Sequence, residues 1–169
     1  MTGYVLGLDV GTTTISWTVL DAASLEQMEA CNRANDSSVG DGIQNPDRIL
    51  DICLEITDDV KKRFKCISAV GITGQMHGIV LTDEKGNSVS PLYTWQYKTS
   101  PVLCSEISSL SGYKAYSGYG VVTLLSLVKQ NKVPEGAVSV IIKDVLPEDW
   151  TDEVVKKDLA EREFIYKMP

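Results

Sequence analysis

This sequence contains a single histidine, four cysteines and fewer basic than acidic residues, and each scarcity narrows what the chain can do. Cys31, Cys53, Cys66 and Cys104 lie far apart, with none of the CxxC or Cys/His spacings that a zinc site needs. They read as reduced thiols. The first residues lack the charged, apolar and small-residue succession of a secretory signal and the glycine of a myristoylation signal. A cytoplasmic protein is therefore expected, in which the Asn35-Asp36-Ser37 sequon stays idle. No apolar run reaches the roughly 18 residues of a membrane span. Sixteen Lys and Arg against 23 Asp and Glu leave a net charge of -7, a poor match for nucleic acid or an anionic membrane. The chain also has no GxxxxGK[ST], HExxH or GxSxG segment, which removes the usual support for those mechanisms.

What remains is ordinary globular composition, 43% hydrophobic and 23% charged over 169 residues. A chain of that length can bury roughly two thirds of its unfolded surface, and one domain is expected. Tyr4 to Asp9 and Ile15 to Leu20 read as strands of a hairpin with a hydroxyl-rich tip, followed by a third short strand over Glu26 to Arg33 and a polar loop from Asn35 to Gln44. Asn45-Pro46 supplies a cap and a first-turn proline, and Ile49, Cys53, Ile56, Val60 and Phe64 recur at helical spacing up to Lys65. Ile67 to Thr73 returns to strand pattern. Three strands, a helix and a strand form the β-β-β-α-β order of the ribonuclease H-like or actin-like fold, an α/β mixed sheet with flanking helices. Further extended segments are expected over Gly78 to Leu81 and Val89 to Trp95, helices over Val102 to Leu110 and Val121 to Lys129, and a strand over Val138 to Ile142. Residues 145–169 read as a charged tail, helical around Asp152 to Tyr166 and packed on the same domain, which itself spans 1–144.

Three segments carry candidate chemistry. Asp9 ends a buried strand directly before Gly11, Thr12 and Thr13. Such a turn can cradle a phosphate on its backbone amides and hydroxyls while the carboxylate holds Mg²⁺, directly or through water. It can equally be a plain hairpin that Asp9 caps. Gly74-Gln75-Met76-His77-Gly78 ends another strand and holds the only imidazole. That imidazole suits a sugar hydroxyl, and it suits a satisfied loop position as well. Trp95 and Gln96 pair an aromatic face with an amide, fitting either a sugar or a core. Ser117-Gly118-Tyr119-Gly120 adds glycine freedom and a phenol, too short to identify a dinucleotide site.

Taken together and in order, these segments resemble the opening of FGGY carbohydrate kinases. Gly7-Leu8-Asp9-Val10-Gly11-Thr12-Thr13 resembles the family's first phosphate motif. Gly71-Ile72-Thr73-Gly74-Gln75-Met76-His77-Gly78 is similar to the GxxGQMHG segment of xylulose and sedoheptulose kinases, and Pro91 to Gln96 resembles the segment that follows. The Ser117 to Gly120 loop and the helix after it are similar to those of sedoheptulokinases. The resemblance spans about residues 3–144. It implies an ATP- and Mg-dependent transfer to a ketose, with Asp9, Gly11, Thr12 and Thr13 toward Mg-ATP and Gln75, Met76, His77, Trp95 and Gln96 toward the sugar.

The same resemblance implies a chain that does not complete the reaction alone. The family's catalytic aspartate, a general base worth about 10²- to 10⁴-fold, and its nucleotide-binding second domain lie beyond the matched stretch. No catalytic residue is therefore expected within this chain. Where the family continues from Trp-Gln with an aspartate and then an arginine, this sequence has Tyr97-Lys98-Thr99, so a sugar-contacting acid and its neighbour are replaced. The expectation is the N-terminal sugar-binding part of a ketose kinase, truncated and inactive alone, paired with a missing C-terminal half or forming a homodimer through an uncovered apolar face. The competing expectations are a degenerate sugar-binding or partner module, and a two-metal ribonuclease H-like nuclease, which the charge and the lack of a second placed acid oppose.

Overall fold

A computed structural model describes residues 3–142; the helix expected over Asp152 to Tyr166 lies outside them. The chain packs as two compact units. One comprises the chain up to Gly40 with Gln44–Gln75, the other Asp41–Ile43 with the chain from Met76.

The first unit is built from β1 (Tyr4–Val10), β2 (Thr14–Asp21), β3 (Gln27–Ala34), α1 (Pro46–Arg63) and β6 (Ile67–Gly74). Its sheet runs β3-β2-β1-β6. β1 pairs antiparallel with β2 and parallel with β6, and β2 pairs antiparallel with β3. A parallel β1–β6 pair needs a crossover, which α1 provides. Alternation along the strands sends Leu6, Leu8, Ile15 and Val19 to one face, where Ile52, Ile56 and Val60 of α1 complete a buried core. α1 begins where the sequence predicts: the Asn45 side chain accepts from the amides of Asp47 and Arg48, Pro46 opens the first turn, and Lys61, Lys62 and Arg63 sit in the last, the sign that the helix dipole favours.

The stretch from Asn35 to Gln44 departs from the expected loop. It contains β4 (Ser38–Gly40) and β5 (Ile43–Gln44), joined by Asp41-Gly42 with Gly42 at φ 69°. An Asp-Gly pair supplies the left-handed residue that a tight hairpin demands. Strands this short leave no period to read.

The second unit contains β7 (Ile79–Thr82), β8 (Leu92–Tyr93), α2 (Pro101–Ser111), α3 (Gly120–Lys129) and β9 (Ser139–Ile142). β7 is central, antiparallel to both β8 and β9. Ile79 and Leu81 of β7, Leu127 of α3 and Val140 of β9 form its buried core. Ser100 caps α2, whose end is set by Gly112 in the left-handed region. Asp83 organises the following turn, its carboxylate accepting from the amides of Lys85 and Asn87 and from the Asn87 side chain. The four cysteines are free thiols, and burial pushes that of Cys53 up.

Candidate functional site

In the first unit, the backbone folds tightly between β1 and β2, with the Gly11 amide donating to the Thr14 carbonyl at 3.0 Å. Three buried or half-buried amide side chains brace this turn. Asn35 donates to the Gly11 carbonyl at 2.9 Å, and its own backbone amide donates to the Thr13 carbonyl at 2.9 Å. Gln44 donates to the Thr12 carbonyl at 2.7 Å. Gln75 accepts from the Thr12 hydroxyl at 2.9 Å and donates to the Gln44 side-chain oxygen at 2.8 Å. Thr12, Gln75 and Gln44 thus close a ring of hydrogen bonds around the turn.

Gln75 was expected beside Met76 and His77 on a sugar; its amide here serves the Asp9–Thr13 turn, and Gln75 belongs to the first unit while Met76 and His77 belong to the second. Thr12 spends its hydroxyl on Gln75, while Thr13 and Asp9 are exposed. Asp9 stands at the end of β1, opposite Ser16 on one side and Thr73 on the other. It borders an open groove of about 410 Å³ whose lining includes Gly7, Gly71, Ser16, Thr73, Trp17 and Ile72. Among the described residues no three of His, Cys, Asp and Glu gather to hold a metal ion. One exposed carboxylate beside a glycine turn still fits Mg²⁺ of the kind that keeps several waters and shares phosphate oxygens.

In the second unit the loop Ser117–Gly120 meets both His77 and Trp95. Thr94, fully buried, anchors the aromatic segment by donating from its amide and its hydroxyl to the Gly42 carbonyl. Trp95 and Gln96 follow it outward; Trp95 is 50% exposed and Met76 51%. Gly118, at φ 90°, passes so close to Trp95 that a Cβ there would lie 1.9 Å from the Trp95 carbonyl oxygen. The Ser117 hydroxyl accepts from the Thr99 amide and donates to the Tyr97 carbonyl. Tyr119 then stacks on His77, ring centroids 4.6 Å apart and planes 17° from parallel.

Sequence reasoning singled out His77, Trp95 and Gln96 as candidates, and noticed the phenol of Tyr119 without giving it a partner. It missed Asn35 and Gln44 altogether. Their partners lie 24 and 32 residues away, and no local pattern announces such a bond. Tyr97, standing where an acid was expected, packs edge-on against Tyr93 at 4.9 Å.

Comparison with solved structures identifies the architecture. A xyloylose kinase from Brucella ovis superposes on 82% of this chain with a TM-score of 0.68 at 22% identity, over 32% of its own length. The fold is the actin-like, ribonuclease H-like one that the strand order predicts. The sequence fixes the family: residues 4–131 match the FGGY family of carbohydrate kinases, N-terminal domain, and the chain belongs to that family. It is 28% identical to a gluconokinase of Bacillus subtilis over 127 residues, 71% of this chain and 24% of the relative. Similarity to a xylulose kinase of Staphylococcus epidermidis is 23% over 114 residues, 64% of this chain and 23% of the relative. The chain thus spans about a quarter of the length of the curated relatives it matches.

Proposed function

We propose that this chain is the sugar-binding, N-terminal part of an ATP-dependent carbohydrate kinase acting on a ketose, with His77, Trp95, Gln96 and Met76 toward the sugar and Asp9, Gly11 and Thr13 toward Mg-ATP. The observation that supports it is the grouping of His77 and Trp95 on one loop-braced surface of the second unit, in a chain of the FGGY family. An exposed indole offers its apolar face to sugar C–H groups, and an imidazole and an amide beside it exchange hydrogen bonds with hydroxyls.

Bound Mg-ATP supplies the phosphoryl group and the cationic charge that steadies it. The chain's own task is to hold the turn: Asn35, Gln44 and Gln75 fix the carbonyls and hydroxyl of Gly11–Thr13. Phosphoryl transfer depends on positioning and charge, so the proposal includes that turnover needs the remainder that the relatives carry.

Calorimetric titration with xylulose, ribulose, sedoheptulose and gluconate, with and without Mg-ATP, tests the reading. Saturable binding of one sugar, lost in Trp95→Ala, is expected. No binding by any of them would favour the second reading, a partner module that has kept the fold. The packing of Tyr97 on Tyr93 where an acid was expected supports that alternative. The proposed homodimer is decided by light scattering: a monomer mass at high concentration removes it.

A further inference from the structure

His77 sits at φ 59°, the left-handed region that a non-glycine residue occupies only where its surroundings hold it. Its ring lies nearly parallel to that of Tyr119 at 4.6 Å. Tyr119 also meets Tyr116, whose ring is tilted 59° against it at 5.5 Å. Tyr119 is also the N-cap residue of α3, and it makes no side-chain capping bond there. Caps favour Ser, Thr, Asp and Asn, so helix stability does not explain a tyrosine at that position. The loop that carries it is fastened at two adjacent residues to the segment from Trp95 to Thr99. Gly118 passes against the Trp95 carbonyl, where any side chain would collide, and the Ser117 hydroxyl ties the loop to Tyr97 and Thr99.

We propose that Tyr119 is a positioning residue for His77: its phenol fixes the plane of the imidazole, and thereby the direction from which a sugar hydroxyl is met. An unsupported imidazole turns about two side-chain bonds and accepts hydroxyls of several configurations; one stacked on a clamped ring accepts fewer. Tyr119 is thus a determinant of which hydroxyl configuration the site prefers. The sugar role rests on the reading of this surface as a sugar site, whereas the ring contact does not.

The lone histidine makes the test direct, because its two imidazole C–H signals stand alone in a proton–carbon NMR spectrum of the 169-residue chain. The unmutated chain should show nuclear Overhauser contacts between these protons and the Tyr119 ring, with both signals displaced by its ring current. Tyr119→Phe should keep the displacement, and Tyr119→Leu should lose it. Xylulose affinity, followed on the same signals, should hold in Tyr119→Phe and weaken about three- to tenfold in Tyr119→Leu, the usual worth of an aromatic pair. Should Tyr119→Leu fail to fold, Tyr119→Thr removes the ring while giving α3 a favoured capping residue, and it should also lose the displacement. Absent ring contacts, unmoved signals in a folded Tyr119→Leu, or moved signals with unchanged xylulose affinity overturn the proposal. A sugar response without the ring contact removes Tyr119 alone. The ring contact without a response to any ketose or to gluconate removes the sugar reading and the role in selection together.

Discussion

Gln44 is 3% exposed and uses both ends of its amide, donating to the Thr12 carbonyl and accepting from Gln75. Replacing it by leucine leaves two polar partners without their bond in a half-buried place. An unsatisfied buried group costs about 1–3 kcal/mol, so urea unfolding of Gln44→Leu should show a stability loss of about that size. A loss under about 0.5 kcal/mol would mean that solvent reaches the turn and restores the bonds. Nothing in the sequence marks Gln44 for this role. Its neighbour Asn45 was legible because a cap acts within three residues, and Gln44 was not because its bonds reach across the fold. His77 illustrates a middle case: the motif drew attention to it, while its left-handed backbone and its partner Tyr119 emerge only from the tertiary structure.

At the scale of elements, the strands and α1 were legible because burial imposes a period, and their ends because caps and turns have a chemistry. The alternation of β1 and β2 and the spacing of α1 follow from one shared core. The expected inward face of α1 omitted Ile52, which is fully buried, because Cys53 fits the same helical spacing one position later. Ile52→Ala should cost about 2–5 kcal/mol through the cavity it leaves, against about 1 kcal/mol for Asn45→Ala, which loses only a cap. Thermal or urea unfolding orders the two, and the reverse order would place the core elsewhere. The outer face of α1 carries a charge network that no period reveals. Arg48 bonds both Asp36 oxygens and also Glu55, which pairs with Arg33 as well. The Arg48 hydrogen bonds hold the Asp36 carboxyl below its ordinary 3.8, and those of Arg33, then Arg48, hold Glu55 below its ordinary 4.5. A carboxyl depressed in the folded state contributes stability above its unfolded pKa, and that contribution fades as pH falls through the folded value. Unfolding midpoints should therefore stay level down to about pH 5 and decline below about pH 4, and Arg48→Met should flatten the decline. The effect should be small and shrink with salt, since these groups are exposed; a decline unchanged in Arg48→Met would assign it to other carboxylates.

The whole molecule was the least legible scale. The chain passes between its two units at 40–44, where Gly40 and Gly42 read only as part of a loop, and again at 75–76. The second crossing falls inside the Gln75-Met76-His77 segment, so residues that read as one motif belong to different units. β6 ends the sheet of the first unit, and its Val70 and Ile72 are 45% and 72% exposed, although parallel strands are ordinarily covered on both faces. The chain spans 24% of the Bacillus subtilis gluconokinase and 32% of the Brucella ovis kinase that it resembles. Catalysis follows the same division. Asp9 stands exposed near the end of β1, and the proposed function gives it a metal-bound phosphate rather than the proton of a sugar hydroxyl. With saturating xylulose and Mg-ATP, the chain alone should release ADP no faster than its absence allows, measured by coupled oxidation of a nicotinamide. Turnover that disappears in Asp9→Asn would make Asp9 the base and reverse the assignment. Turnover that survives Asp9→Asn would place the base on another residue of this chain, against the family resemblance that puts it further along.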